Sequence, residues 1–204
     1  MRRIVLASLS PRRKELLSLL GIPFEVLPSN ADEDPGDAVE SPEQHARIVA
    51  RKKADEVAKK VDDALVIGAD TLVVVNGLIL GKPKDPEDAA RMLKLLSGKL
   101  HKVFTGVVVL DVRGGSVVDS CEECVETQVR MRELSEDMIE AYVRTGEPLD
   151  KAGAYAIQGY GSVLIEGIVG DYFNVVGLPV QRLSVMLERF GIKPLSSFAE
   201  GRSG

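Results

Sequence analysis

A short apolar run that gives way within a few residues to a capped helix constrains this chain more than any other stretch. Ile4-Val5-Leu6-Ala7 reads as a buried strand. Glu15-Leu16-Leu17-Ser18-Leu19-Leu20-Gly21 then has the spacing of an amphipathic helix closed by a glycine. Ser10 stands at the N-cap and Pro11 at the first helical position, where its missing N–H costs nothing. The helix start therefore combines a partial positive charge, the hydroxyls of Ser8 and Ser10, and the guanidiniums of Arg12 and Arg13. That combination suits an anion, above all a phosphate.

The rest of the chain narrows the setting. Its 204 residues allow one large domain or two lobes, and 45% hydrophobic with 28% charged residues is the composition of a globular protein. A net charge of −5 argues against a broad nucleic-acid-binding surface but leaves room for a local basic pocket. Two cysteines do not make a disulfide scaffold, and Cys121 and Cys124, an odd number apart in a predicted strand, point to opposite faces. No apolar run approaches the length of a membrane span, and the one behind Arg3 is too short for a signal peptide, so the expected compartment is the cytosol.

Further along, Phe24–Leu27 predicts a strand running into an acidic loop, with Glu33 flanked by Asp32 and Asp34 as candidate ligands for a hard divalent cation. Ser41-Pro42-Glu43-Gln44 opens a helix to about Val61 that carries the basic cluster Arg51-Lys52-Lys53. Leu65-Val66-Ile67 reads as a strand ending in a small-residue kink that presents Asp70 and Thr71 beyond its carboxyl end. An Asn76-Gly77 hairpin delivers Gly81-Lys82-Pro83. A helix follows from Asp85, then an antiparallel pair turning at Gly114-Gly115, then a helix capped by Ser135. The segment Gly146–Gly161 is irregular and rich in small and polar residues, as functional loops tend to be. A strand at Val163–Ile165 and a last helix to Phe190 complete the elements; the polar tail from Ser196 is expected to fray.

Taken in order, Ser8-x-Ser10-Pro11-Arg12-Arg13, Gly68-Ala69-Asp70-Thr71, Gly81-Lys82-Pro83, Ser97-Gly98-Lys99-x-His101, Glu147-Pro148-x-Asp150-Lys151-Ala152-Gly153-Ala154-Tyr155-x-Ile157-Gln158-Gly159 and Asn174-Val175-Val176-Gly177-Leu178-Pro179 resemble the Maf family of nucleoside triphosphate pyrophosphatases. The resemblance runs from about Ile4 to Gly191. It implies one Maf-type domain over residues 1–204: an α/β fold of two lobes, with a mixed sheet and flanking helices around a central cleft, similar to the inosine triphosphate pyrophosphatase fold. It also implies a homodimer, a magnesium or manganese ion, and hydrolysis of a nucleoside triphosphate to the monophosphate and pyrophosphate.

Tyr155-Ala156-Ile157-Gln158-Gly159 looks like the branch acting on dTTP and UTP rather than the one preferring 7-methyl-GTP. By the same resemblance Asp70 is the general base, Glu33 and Asp70 are the metal ligands, and Arg12, Arg13, Lys53 and Lys82 neutralise phosphate, with Lys53 favoured over Lys52. Arg12, Thr71 and Gln158 match the positions associated with the choice of base, and Ser8 and Ser10 belong to the phosphate cradle. The same hydrolysis of a modified or purine nucleotide such as 7-methyl-GTP is one alternative, and a regulator of cell division that senses a triphosphate without turning it over is the alternative of another class.

Overall fold

The computed structural model describes residues 2–36 and 39–195; the tail from Ser196, expected to fray, lies outside them. Strand β1 (Ile4–Leu6) pairs in parallel with β2 (Glu25–Val26) on one side and with β3 (Ala64–Val75) on the other, Val5 facing Glu25 and Val66. Between them come α1 (Pro11–Ser18) and α2 (Pro42–Ala58), each with the predicted serine cap and with proline at its start. β3 pairs antiparallel with β4 (Leu78–Leu80) through the Asn76-Gly77 turn. Helix α3 (Pro86–Leu96), the long strands β5 (Leu100–Arg113) and β6 (Ser116–Met131), and α4 (Glu136–Arg144) follow. Strand β7 (Ile165–Val169) pairs antiparallel with β6, and α5 (Tyr172–Val176) and α6 (Val180–Glu188) end the described chain. The sheet order is β2-β1-β3-β5-β6-β7 with β4 on β3, so the sheet is mixed and the class is α/β.

The chain divides into two compact units. One comprises Met1–Asp70, Thr105–Val125 and Gly177–Gly204; its core includes Val5, Ala50, Ala54, Val57, Val66, Val108 and Leu110. The other comprises Thr71–Phe104 and Glu126–Val176, around Val73, Leu93, Leu96, Val103, Met131, Ile139, Tyr142 and Tyr155. Each core draws its apolar side chains from strands and from one face of its helices, as burial of amphipathic elements requires.

Helix α2 lies unusually close to the sheet. A Cβ added at Gly68 would stand 2.3 Å from the Ala50 carbonyl oxygen and 2.9 Å from the Ala54 Cβ; one at Gly106 would stand 2.3 Å from the Ala46 oxygen. These glycines, opposite the small side chains of Ala46, Ala50 and Ala54, let helix and strand backbones approach where any side chain would hold them apart.

That packing corrects one expectation. Gly68-Ala69-Asp70-Thr71 is not a kink beyond a strand end: β3 continues unbroken from Ala64 to Val75, and Asp70 sits in mid-strand. The glycine serves helix contact, not a change of direction. Smaller differences lie at the ends of elements. The strand expected at Val163–Ile165 begins only at Ile165, because Gly159–Leu164 winds into a 3-10 turn first, and α2 ends at Ala58, short of Val61. Gly68→Ala is expected to destabilise the protein by about 3 kcal/mol, since the obstructing atoms are backbone; denaturant unfolding at equilibrium measures it.

Candidate functional site

The first unit holds seven of the expected residues. The loop after β1 is tightened by Ser8, whose Oγ accepts from the Ser10 N–H at 3.1 Å, and Ser10 Oγ in turn accepts from the Arg13 N–H at 3.4 Å. A capped helix start with no acidic residue in its first turn keeps the positive end of its dipole uncompensated. Arg12 and Arg13 are half-buried, and Arg13 Nε donates to the Gly177 carbonyl at 2.9 Å, fixing the guanidinium stem. Burial pushes the Arg13 pKa down from its ordinary value, while the fields of Asp70 and Glu33 oppose the shift and neighbouring Arg12 adds to it. An arginine starts so high that it stays charged, and it stands within reach of both carboxylates' fields.

Those carboxylates meet on one nitrogen. Lys53, in the last turns of α2, donates from Nζ to Asp70 Oδ1 at 2.7 Å and to Glu33 Oε1 at 2.8 Å. Lys53 is 8% and Asp70 7% exposed, whereas the Glu33 side chain is more than half exposed. The neighbouring Lys52 turns instead to the loop backbone, donating to the Asp34 carbonyl at 2.7 Å. Asp32 and Asp34, the flanking candidates for the cation, each put one oxygen to local use: Asp32 Oδ1 accepts from the Asp34 N–H and Asp34 Oδ1 from the Gly36 N–H. Such Asx turns shape the loop and leave Glu33 as the carboxylate aimed at Lys53.

The loop is anchored by a residue that the sequence reading passed over. Glu56, on the same helix as Lys53, accepts from the Ser29 hydroxyl and from the Asn30 N–H through Oε2, both at 2.6 Å, and from Lys60 Nζ at 2.8 Å through Oε1. Its place three residues after Lys53 was the available signal, since residues at that spacing share a helix face. The Lys60 ammonium, the Ser29 hydroxyl and the Asn30 N–H hold its carboxyl down at about 2.

The second unit holds Thr71, Lys82 and Gln158. Thr71 is half-buried in β3, and Lys82 follows β4 on an exposed segment that is tied by a bond from the Gly153 N–H to the Gly81 carbonyl, 3.0 Å. Gln158 is half-buried in extended backbone just before the Gly159–Leu164 turn. Beneath that loop Tyr155 hydroxyl and His101 Nε2 are 2.8 Å apart, and burial lowers the His101 pKa to about 4, so the ring is neutral near pH 7. Among the described residues no three His, Cys, Asp or Glu side chains gather as a metal cluster, and no helix is long and apolar enough to cross a membrane.

Cationic groups beside a helix start, with a buried aspartate held by a lysine, are the equipment of a protein that handles phosphorylated ligands on an α/β frame. The chain belongs to the Maf family: the model of Maf-like protein matches residues 3–190. A dTTP/UTP pyrophosphatase of Moorella thermoacetica is 52% identical over 94% of this chain and 97% of that protein. One of Methanosarcina barkeri is 50% identical over the whole of both chains. Among solved structures, a Ham1 protein of Staphylococcus aureus matches over 80% of each chain at 14% identity and a TM-score of 0.48, too loose a likeness to add to the family match.

Glu56 titrates well below an ordinary glutamate, so its bonds stabilise the fold fully above about pH 4.5 and are lost as pH falls toward 2. Glu56→Gln is therefore expected to lower the thermal midpoint at neutral pH, with the two proteins converging on acidification; unfolding scans from pH 7 to 2 follow it.

Proposed function

We propose that this chain hydrolyses dTTP and UTP, water attacking the α-phosphorus and pyrophosphate leaving with the electron pair of the broken P–O bond. The names of the Moorella and Methanosarcina relatives, aligned over nearly the whole chain, support the substrate. The observation within the chain that carries the chemistry is the Lys53 ammonium shared by Asp70 and Glu33, with Arg13 in their field.

A triphosphate shields its α-phosphorus with negative charge, so the first demand is neutralisation. Arg12, Arg13, Lys82 and the start of α1 supply it in this reading. Ser8 Oγ already accepts one bond from Ser10 N, which leaves its own proton to donate to a phosphate oxygen. Asp70 takes the proton of the attacking water, and Lys53 holds its carboxylate in one orientation.

The residues fit a magnesium or manganese ion, because Glu33 and Asp70 turn hard oxygens toward one cationic centre and such ions take one or two carboxylates plus substrate phosphates. When bound, that ion lowers the pKa of the attacking water and offsets phosphate charge. The Gln158 amide both donates and accepts, as the O4 and N3–H edge of thymine or uracil requires, and Arg12 and Thr71 complete the choice of base. A homodimer in the cytoplasm belongs to the same reading, and light scattering on the purified protein reports the stoichiometry.

Release of pyrophosphate from a panel of dTTP, UTP, CTP, ATP, GTP and 7-methyl-GTP, with magnesium or manganese, tests the proposal. The expected result is a kcat/KM for dTTP and UTP at least about tenfold above the others. Preference for 7-methyl-GTP, or no turnover of any nucleotide, overturns it. Asp70→Asn is expected to lower kcat by about 100- to 10,000-fold while nucleotide binding stays measurable by calorimetry; an unchanged rate removes Asp70 as the base.

A further inference from the structure

Gln158 sits between two stretches of backbone that are bonded to the same pair of side chains. Glu147, just after α4, accepts through Oε1 from the Gly161 N–H at 2.8 Å and from the Tyr142 hydroxyl at 2.9 Å, and through Oε2 from the Tyr160 N–H at 3.0 Å. The Tyr142 oxygen in turn accepts from the Ala156 N–H at 3.1 Å. Ala156 lies two residues before Gln158, and Tyr160 and Gly161 two and three after it.

The fit is close on both sides. Gly159 has φ +65, and a Cβ there would stand 2.3 Å from Glu147 Oε2; one at Gly161 would stand 2.7 Å from the Tyr142 hydroxyl oxygen. Tyr142 is 5% exposed, so one end of this chain of bonds is set in the core. Both carboxylate oxygens are occupied, two of the three donors being backbone N–H groups of one turn, which is the arrangement that fixes a loop most firmly.

We infer that Glu147 is a positioning residue: its carboxylate, coupled through Tyr142, fixes the backbone on either side of Gln158 and so sets the discrimination between UTP and CTP. The inference rests on the base-reading role given to Gln158 above. Uracil presents a carbonyl oxygen and an N–H where cytosine presents an amino group and a bare ring nitrogen. A glutamine amide donates and accepts, so on a mobile stem it can satisfy either edge. Selectivity therefore depends on holding the Gln158 backbone where only one edge is met at hydrogen-bond distance.

The test is the ratio of kcat/KM for UTP to that for CTP in wild type, Glu147→Gln, Gln158→Ala and the double variant, each checked for a cooperative thermal transition. Glu147→Gln keeps the size of the side chain but turns an NH₂ toward a backbone N–H. Its expected effect is a roughly tenfold fall in the ratio, the scale of one lost hydrogen bond. The double variant is expected to show the ratio of Gln158→Ala alone, since both changes remove one discrimination.

An unchanged ratio in folded Glu147→Gln, when Gln158→Ala lowers it, overturns the inference, and so does an equal loss on both nucleotides. A ratio that Gln158→Ala leaves intact instead removes the base-reading role of Gln158, and the inference falls with it. Should Glu147→Gln fail to fold, Tyr142→Phe, which deletes only the hydroxyl joining Ala156 to Glu147, is read against the same outcomes.

Discussion

The distance between helix α2 and the strands under it governs the first unit of this protein. With glycine at 68 and 106 and alanine at 46, 50 and 54, the two backbones come near enough for the Lys53 side chain to reach Asp70 inside the packed layer. A lysine and an aspartate this buried have given up most of their hydration, and their attraction returns little net stability. What the pair provides is orientation. The ammonium holds one aspartate oxygen in a fixed direction and draws the exposed Glu33 to the same point, so the loop and the strand present their carboxylates together.

Both units hold their irregular segments by the same device. Glu56 gathers Ser29 and Asn30, and Glu147 gathers Tyr160 and Gly161, each carboxylate accepting backbone N–H groups that a loop has no ladder to satisfy. In each case the pinned loop carries a side chain assigned a part in the chemistry, Glu33 in one and Gln158 in the other. Neither glutamate is assigned a contact with substrate. Their work is to remove the freedom that a functional loop would otherwise have to surrender on binding.

Much of this was legible in the chain itself. The serine caps with proline at the first helical position, the Asn76-Gly77 turn and the glycine turn before β6 are local signals, and each element formed where its signal stood. The order of the motifs was enough to indicate the family. Less legible was anything decided by what a residue meets across space. Gly68 looked like a break in a strand because a glycine's reason for being there, a helix backbone 18 residues earlier, is invisible to local pattern. Glu56 carried no local pattern that marked its bonds to Ser29 and Asn30, residues far back along the chain.

The way the two units share the chain bears on how the protein is made. The first takes its third segment from Gly177 onward, and Arg13 is tied to that segment through the Gly177 carbonyl; the second is interrupted by Thr105–Val125. On a ribosome the earliest helix therefore emerges long before the residues that complete its surroundings. The second unit cannot close until Val176 has left the exit tunnel, nor the first until the segment from Gly177 has, so folding is dominated by contacts between distant parts of the sequence. Until β5 emerges, the side of β3 that it covers is an open edge, a template on which another strand could pair.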